Sequence, residues 1–228
     1  MPFVVIEGLD GSGKSTQIGL VRNFLENKKI PFHYLHFPRT SSPPFGELIA
    51  EFLRGDFGEI TQVHPKLVAA IYALDRMDAK DQMDKWLQNN ELILCDRYVY
   101  SNIAFQCAKL NEISEREQLA SWIKEIEYTY FQIPKPGLSV YLNVPFSFIA
   151  QNLSVTRLGE DRGYLAGKSD IHEMNLDFQK KVHEAYLWQV SSEKDFIPVE
   201  CFSDKSLMLP AEEIFSSLLS LFHKNQII

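Results

Sequence analysis

Eight residues near the start of the chain, Gly8-Leu9-Asp10-Gly11-Ser12-Gly13-Lys14-Ser15, carry the spacing G-x-x-x-x-G-K-S. That spacing is chemistry for phosphate. Glycines let the backbone wrap around an anion and turn its N–H groups inward. A helix that starts at once adds the positive end of its dipole and its unpaired N–H groups. Lys14 supplies a point charge for the outer phosphates of a nucleoside triphosphate, and Ser15 a hydroxyl for Mg²⁺. Gly8 to Thr16 is therefore the expected ATP-binding stretch. A chance match in a chain this long is on the order of one in a hundred. Such a loop is completed by an acid at the end of a nearby buried strand. Asp96 closes the apolar run Leu92-Ile93-Leu94-Cys95 and is the candidate second metal ligand, beside Ser15.

Arginines follow the loop in a pattern. Arg39 ends Phe37-Pro38-Arg39, Arg76 lies four residues after Tyr72, and Arg97 sits in Asp96-Arg97-Tyr98. One arginine alone reads as a surface salt bridge of little value. Three of them downstream of a phosphate loop read better as a site for a second, already phosphorylated substrate, because arginine binds phosphate bidentately.

The surrounding elements must hold these groups. Phe3-Val4-Val5-Ile6 reads as a strand, and Ile18, Val21 and Leu25 mark the amphipathic helix after the glycines. Further strands are expected at 31–36, 92–95, 138–142 and 196–201. Helices are expected around 45–53, after Pro65, around 119–126, after Pro145, from Ile171 to Ala185, and at the end of the chain. Strands alternating with helices predict an α/β fold whose mainly parallel sheet is covered on both faces. The whole chain, 1–228, reads as one domain. The segment 156–169, TRLGEDRGYLAGKS, has no apolar periodicity. It reads either as a solvated surface loop or as a basic lid.

Composition narrows the function. Lys+Arg is 23 and Asp+Glu 30, a net charge of −7, which argues against a general polyanion binder. Apolar residues at 45% are too many for a disordered chain, and no apolar run approaches the ~20 residues of a membrane span. Cys95, Cys107 and Cys201 show no metal or disulfide spacing and read as reduced thiols of a cytoplasmic protein without a secretory leader. The chain has no N-K-x-D and no L-S-G-G-Q, so a guanine switch and a transporter ATPase are not expected. What remains is a small kinase acting on a small acceptor.

At this point the chain resembles the thymidylate kinase family. The matching pieces are E-G-L-D-G-S-G-K-S-T at 7–16, F-P-R at 37–39, A-x-D-R at 73–76, D-R-Y-V-Y-S-N-I-A-F-Q at 96–106 and D-x-x-E at 170–173. The resemblance implies a five-stranded parallel sheet of the nucleoside-monophosphate-kinase type with a mobile lid, a homodimer, and transfer from ATP to dTMP with Mg²⁺. It implies that Asp10 meets the acceptor's 3′-hydroxyl. It implies that Arg39 and Arg97 hold the acceptor phosphate, with Phe37 beside them, while Tyr72 stacks on the base and Arg76 reads its edge. Asn102, Phe105 and Gln106 would line the pocket. Lys14, Asp10, Arg97 and the lid arginines Arg157 and Arg162 would carry catalysis. Gly11 stands where some members place a loop arginine, which assigns that role to the lid, and His172 stands where many have tyrosine. The rival readings are another pyrimidine nucleoside or nucleotide kinase, such as one for UMP or CMP, and a non-catalytic nucleotide-sensing module.

Overall fold

The computed structural model describes residues 2–60, 62–154, 163, 165, 170–172, 175–204 and 206–228. Five parallel strands form one sheet in the order β2-β3-β1-β4-β5: β1 Phe3–Glu7, β2 Phe32–His36, β3 Leu92–Asp96, β4 Leu138–Asn143 and β5 Phe196–Glu200. The fold class expected from the sequence is the one observed. The register sets Ile6 opposite Asp96 and Glu7 opposite Tyr141, so Glu7 and Asp96 end on the same carboxyl edge. Open parallel sheets place ligands at that edge, where the strand order reverses on either side of the first strand.

The three central strands are buried almost throughout, as their unbroken apolar runs require when helices cover both faces. Fully burying one such Val, Ile, Leu or Phe side chain contributes about 1.5–3 kcal/mol. Edge strand β5 tolerates Pro198, which lies exposed where no further strand needs its missing N–H.

The helices are α1 Lys14–Asn27, α2 Phe45–Leu53, α3 Pro65–Gln88, α4 Val99–Cys107, α5 Ile113–Lys124, α6 Phe146–Ser154, α7 Leu176–Ser192 and α8 Ala211–Lys224. Helix α5 runs on into a π-helical turn, Glu125–Tyr130. Helix α3 starts with His64 accepting from the Lys66 N–H and Pro65 in the first position, where a missing N–H costs nothing. Gly13 is the N-cap of α1, and its φ of 83° is the left-handed conformation that glycine adopts without steric cost. At Gly46 in α2, a Cβ would lie 1.9 Å from the Arg39 carbonyl oxygen, so only glycine lets α2 press against the Arg39 loop.

Helix α4 is not among the helices expected from the sequence, because all nine of its residues are buried and give no amphipathic period, and several boundaries differ by a few residues. Strand β2 starts at Phe32, and β5 ends at Glu200 with Cys201 beyond it. The helix expected from Ile171 starts at Leu176, because the Asn175 side chain accepts from the Phe178 N–H at 3.0 Å and caps it there. Ile171 precedes that cap, donates its N–H to the Leu53 carbonyl and packs on a small second core of Ile49, Phe52, Leu53 and Val68. Its helical spacing with Phe178 is thus a tertiary coincidence.

Candidate active site

The phosphate loop joins β1 to α1 as the spacing requires. Lys14 is the first residue of α1 and is buried. Its ammonium donates to the Leu9 carbonyl at 3.1 Å. Burial lowers its pKa and the Arg97 charge adds to that, while Asp96 and Asp10 oppose. The Asn152 amide of α6 donates to the Gly11 carbonyl at 2.8 Å and ties the loop from the other side. Gly8, Leu9, Gly11, Ser12, Gly13, Ser15 and Thr16 all lie on this turn and the first residues of α1.

Asp96, at the end of β3, is buried next to this loop. Burial alone would raise its carboxyl pKa, but the Lys14 charge and the His36 hydrogen bond outweigh it and hold the group ionised. His36 Nδ1 lies 3.2 Å from Asp96 Oδ2, and Asp96 Oδ1 has no hydrogen-bond partner among the described residues. An ionised, buried, half-satisfied carboxylate beside an exposed Ser15 hydroxyl suits a hard cation with oxygen ligands.

Arg97 follows directly and is the hub of the site. Its φ is 65°, uncommon for a residue with a side chain, and its N–H donates to the Ile6 carbonyl at 3.1 Å. That turn sends the guanidinium back over the phosphate loop. It donates to Asp10 Oδ1 at 2.7 Å, to Ser101 Oγ at 3.1 Å and to the Tyr186 hydroxyl at 3.3 Å. It also lies 5.2 Å from the Phe105 ring centre. Burial would favour losing the proton, but Asp10 outweighs it and keeps the group charged.

Glu7 anchors this hub from below and is 0% exposed. It accepts from the N–H groups of Tyr98 at 2.8 Å and Ser101 at 3.2 Å, and from the Tyr186 hydroxyl at 3.1 Å. Burial pushes its carboxyl pKa up, against the Ser101 hydrogen bond and the Arg97 charge.

The remaining expected residues gather around a second group. Arg39 is clamped: it donates to Asp75 through Nε at 2.9 Å and to Asp78 through Nη2 at 2.6 Å. Arg76 is 1% exposed and donates to Glu127 through Nε at 2.5 Å and Nη2 at 2.7 Å. The neighbouring rings of Phe37 and Tyr98 lie 6.0 and 5.8 Å from the Arg76 guanidinium. The Asn102 amide nitrogen donates to Glu127 Oε1 at 3.1 Å and to the Ala69 carbonyl at 3.0 Å. Gln106, one turn on, is buried with neither side-chain polar atom paired to a described residue. Tyr72 is half-buried beside the small second core, and burial and then Asp170 raise its hydroxyl pKa.

His172 is buried between Phe52, Phe105 and Phe178, with ring centres 5.5, 5.0 and 5.4 Å away. Burial holds its imidazole well below its usual pKa, with the Lys109 charge adding to that. The Gln179 amide links it to the loop, donating to the His172 carbonyl at 2.9 Å and to Asp10 Oδ2 at 3.4 Å.

The structure thus brings Asp10, Lys14, Asp96, Arg97, Tyr72, Arg76, Asn102, Phe105 and Gln106 to one end of the sheet. Arg39 joins them through Asp75 of α3. Arg157 and Arg162 of the expected lid, and Glu173 of the D-x-x-E, lie outside the described residues. Glu7, Asp75, Glu127, Gln179 and Tyr186 belong to the same network and carried no role in the sequence reading. Glu7 and Asp75 stand inside the quoted motifs E-G-L-D and A-x-D-R, while Glu127, Gln179 and Tyr186 carry no signal beyond polar character.

A doubly covered parallel sheet, a phosphate loop after the first strand and a second arginine-rich subsite beside it define a P-loop nucleotide-binding protein of the nucleoside-monophosphate-kinase type. The thymidylate kinase family model matches residues 6–201. The chain belongs to the thymidylate kinase family. It is 33% identical over 196 residues to a probable thymidylate kinase of Pyrobaculum aerophilum, covering 85% of each chain. It is 28% identical over 184 residues to the thymidylate kinase of Mycobacterium tuberculosis, covering 81% of this chain and 83% of that one. The solved structure of thymidylate kinase from Candida albicans superposes with a TM-score of 0.73 at 22% identity, covering 99% of this chain and 92% of that one, which establishes likeness of fold.

Proposed function

We propose that the protein transfers the terminal phosphoryl group of ATP to dTMP, giving ADP and dTDP. The observation that carries this reading is the position of Arg97. It reaches back over the phosphate loop to Asp10, so an acceptor phosphate held there meets the triphosphate that Lys14 and the loop N–H groups hold. Phosphoryl transfer asks mainly for position and charge compensation. Lys14 leaves the Leu9 carbonyl for the outer phosphates. Asp10 turns from Arg97 toward the 3′-hydroxyl of the acceptor sugar, and Arg97 turns its freed donors to the acceptor phosphate. Arg39, held by Asp75 and Asp78, adds a second cation at that phosphate, with Phe37 beside it. No side chain is asked to act as a strong base.

Ser15 and Asp96 would hold Mg²⁺, which would neutralise charge on the triphosphate when bound. Asp96 Oδ1, without a hydrogen-bond partner among the described residues, and the ionised state of the carboxyl support that assignment. Tyr72 stacks on the base, Arg76 reads its edge, and Asn102, Phe105 and Gln106 close the pocket. Arg157 and Arg162 keep their role from the sequence, as cations for the transferring group. A homodimer and a cytoplasmic location belong to the same reading, and no helix among the described residues is long and apolar enough to cross a membrane.

The test is ADP release, with Mg²⁺ and ATP, against dTMP, UMP, CMP, thymidine and no acceptor. Turnover with dTMP well above the others supports the proposal. Preference for thymidine indicates a nucleoside kinase, preference for UMP or CMP a different monophosphate kinase, and no acceptor-dependent release a sensing module.

A further inference from the structure

The least expected member of the site is Glu127. It sits on the π-helical turn that prolongs α5, an irregularity that often marks a functional position. The turn is hydrogen-bonded as such, with the Phe131 N–H donating to the Ile126 carbonyl at 2.9 Å. Glu127 is 0% exposed and has three side-chain donors against it: Arg76 Nε, Arg76 Nη2 and the Asn102 amide nitrogen.

Those contacts fix what the two partners can offer a ligand. A guanidinium carries five N–H donors. Glu127 takes the edge made by Nε and Nη2, which leaves Nη1 with no hydrogen bond to a described residue. The two-point bond to Glu127 fixes the guanidinium plane, and the Phe37 and Tyr98 rings pack against it at 6.0 and 5.8 Å. For Asn102 the amide orientation follows from the acceptors around it. Glu127 Oε1 and the Ala69 carbonyl can only accept, so the nitrogen must face both. The oxygen of the amide then points the other way, and Asn102 Oδ1 is buried without a partner among the described residues. Glu127 thereby leaves a donor, Arg76 Nη1, and an acceptor, Asn102 Oδ1, on two side chains that share its Oε1. A base edge that fits this pair has a carbonyl beside a ring N–H, as thymine and uracil have at positions 4 and 3. Cytosine offers the reverse, an amino group beside a bare ring nitrogen, and would leave both protein groups unpaired.

We propose that Glu127 is a positioning residue that sets the hydrogen-bond polarity of the acceptor-base pocket and so selects imide bases, thymine or uracil, over cytosine-type bases. This rests on the reading of the pocket as the acceptor site of a nucleoside monophosphate kinase. Glu127 touches no substrate itself. It acts through Arg76 and Asn102.

The experiment compares dTMP with 5-methyl-dCMP, which differ only at the edge in question. Calorimetric dissociation constants and kcat/KM are measured for wild type, Glu127→Gln and Glu127→Asp. A site built around one hydrogen-bond polarity rejects the wrong one strongly, so wild type should prefer dTMP by at least about a hundredfold. In Glu127→Gln the new amide can present its nitrogen to Asn102, whose own amide is then no longer held one way. The preference should fall by at least about tenfold, with 5-methyl-dCMP gaining while dTMP loses. Glu127→Asp keeps an acceptor-only group and should restore most of the preference. Where Glu127→Gln does not fold, Arg76→Met with Glu127→Met removes both charges together, which buried ion pairs often tolerate, and its preference is read against Arg76→Met alone, so that the further loss through Asn102 reports on Glu127. A preference within about threefold of wild type in the folded variant overturns the proposal, as does parallel weakening of both nucleotides. A wild type without that preference overturns it too. Wild type that binds dTMP without phosphorylating it overturns the functional reading alone, since the binding ratio still decides the role of Glu127. Wild type that binds neither nucleotide overturns both.

Discussion

Arg97 shows how much a single residue can be asked to do, and what it would cost to lose. It is a non-glycine residue at φ 65°, a conformation that costs on the order of 1–2 kcal/mol and persists only when its surroundings hold it. Its surroundings do: Asp10, Ser101 and Tyr186 bind the guanidinium, and Glu7 holds Ser101 and Tyr186 from beneath. Arg97→Ala should therefore raise KM for dTMP and lower kcat while calorimetry finds ATP affinity in the absence of dTMP little changed. Losing a desolvated charge-assisted contact costs ~2–5 kcal/mol. Equal loss of ATP affinity would move Arg97 to the donor subsite. Lys14→Ala separates the two halves of the site. Its ammonium is held by one carbonyl at 3.1 Å, a contact the fold can lose cheaply, yet it carries the charge for the transferring group. Turnover should fall by about 2–3 orders of magnitude, the worth of a preorganised charge of ~3 kcal/mol or more, with circular dichroism unchanged. A folded variant with near-normal turnover would remove the phosphate loop from the mechanism.

Among the elements, helix α4 is where apolar packing and polar function compete most directly. Asn102, Phe105 and Gln106 point into the site from it, and Lys109 follows one turn later with its Nζ buried, unpaired among the described residues and 4.9 Å from the Phe52 ring centre. Burial brings the Lys109 pKa down to about 7. A depressed ammonium pKa means that the folded state resists the proton more than the unfolded chain does. Stability is thus lost as pH falls from the unfolded value of 10.5 toward about 7, and the loss is complete below that. Lys109→Met should stabilise the protein at pH 6 by roughly 1–3 kcal/mol, and the gain should shrink as pH rises toward 10. Urea denaturation of both proteins at the two pH values measures it, and a gain that does not shrink would place the effect in packing rather than charge. Elements also show what the sequence could tell. The phosphate loop, Asp96 and the D-R-Y segment are legible because each carries its chemistry in consecutive residues on one strand-to-helix turn. Glu127 and Gln179 are not, because a buried polar residue looks like a surface one until its partners, 51 and 169 residues away, are known. The start of α7 was misplaced for a related reason, since Ile171 repeats at helical spacing while serving the second core.

Among the described residues, unsatisfied polarity gathers almost entirely at one end of the molecule. Ten buried side-chain atoms lack a hydrogen-bond partner among the described residues. They belong to Ser12, Gln17, Asp96, Asn102, Gln106, Lys109, His172, Gln179 and Gln189, and only Gln17 and Gln189 stand apart from the site. Each such atom costs about 1–3 kcal/mol unless water or a ligand completes it, so the folded chain holds a reserve of stability that substrate can release. The two sides of the reserve are distinct: Ser12 and Asp96 flank the phosphate loop, while Asn102, Gln106, His172 and Gln179 flank the acceptor pocket. Acceptor and donor should then stabilise the fold independently. A ligand at about a hundred times its dissociation constant adds ~2.7 kcal/mol, and a chain of this size gains about 2–4 °C per kcal/mol. Thermal unfolding with dTMP at that excess should rise by about 5–11 °C. ATP with Mg²⁺ should do the same in the absence of dTMP. In Arg97→Ala, at the ligand concentrations used for wild type, the dTMP shift should largely vanish and the nucleotide triphosphate shift remain. A variant that loses both shifts together would mean that the two subsites are one cooperative unit, held by the Glu7 network rather than divided at Arg97.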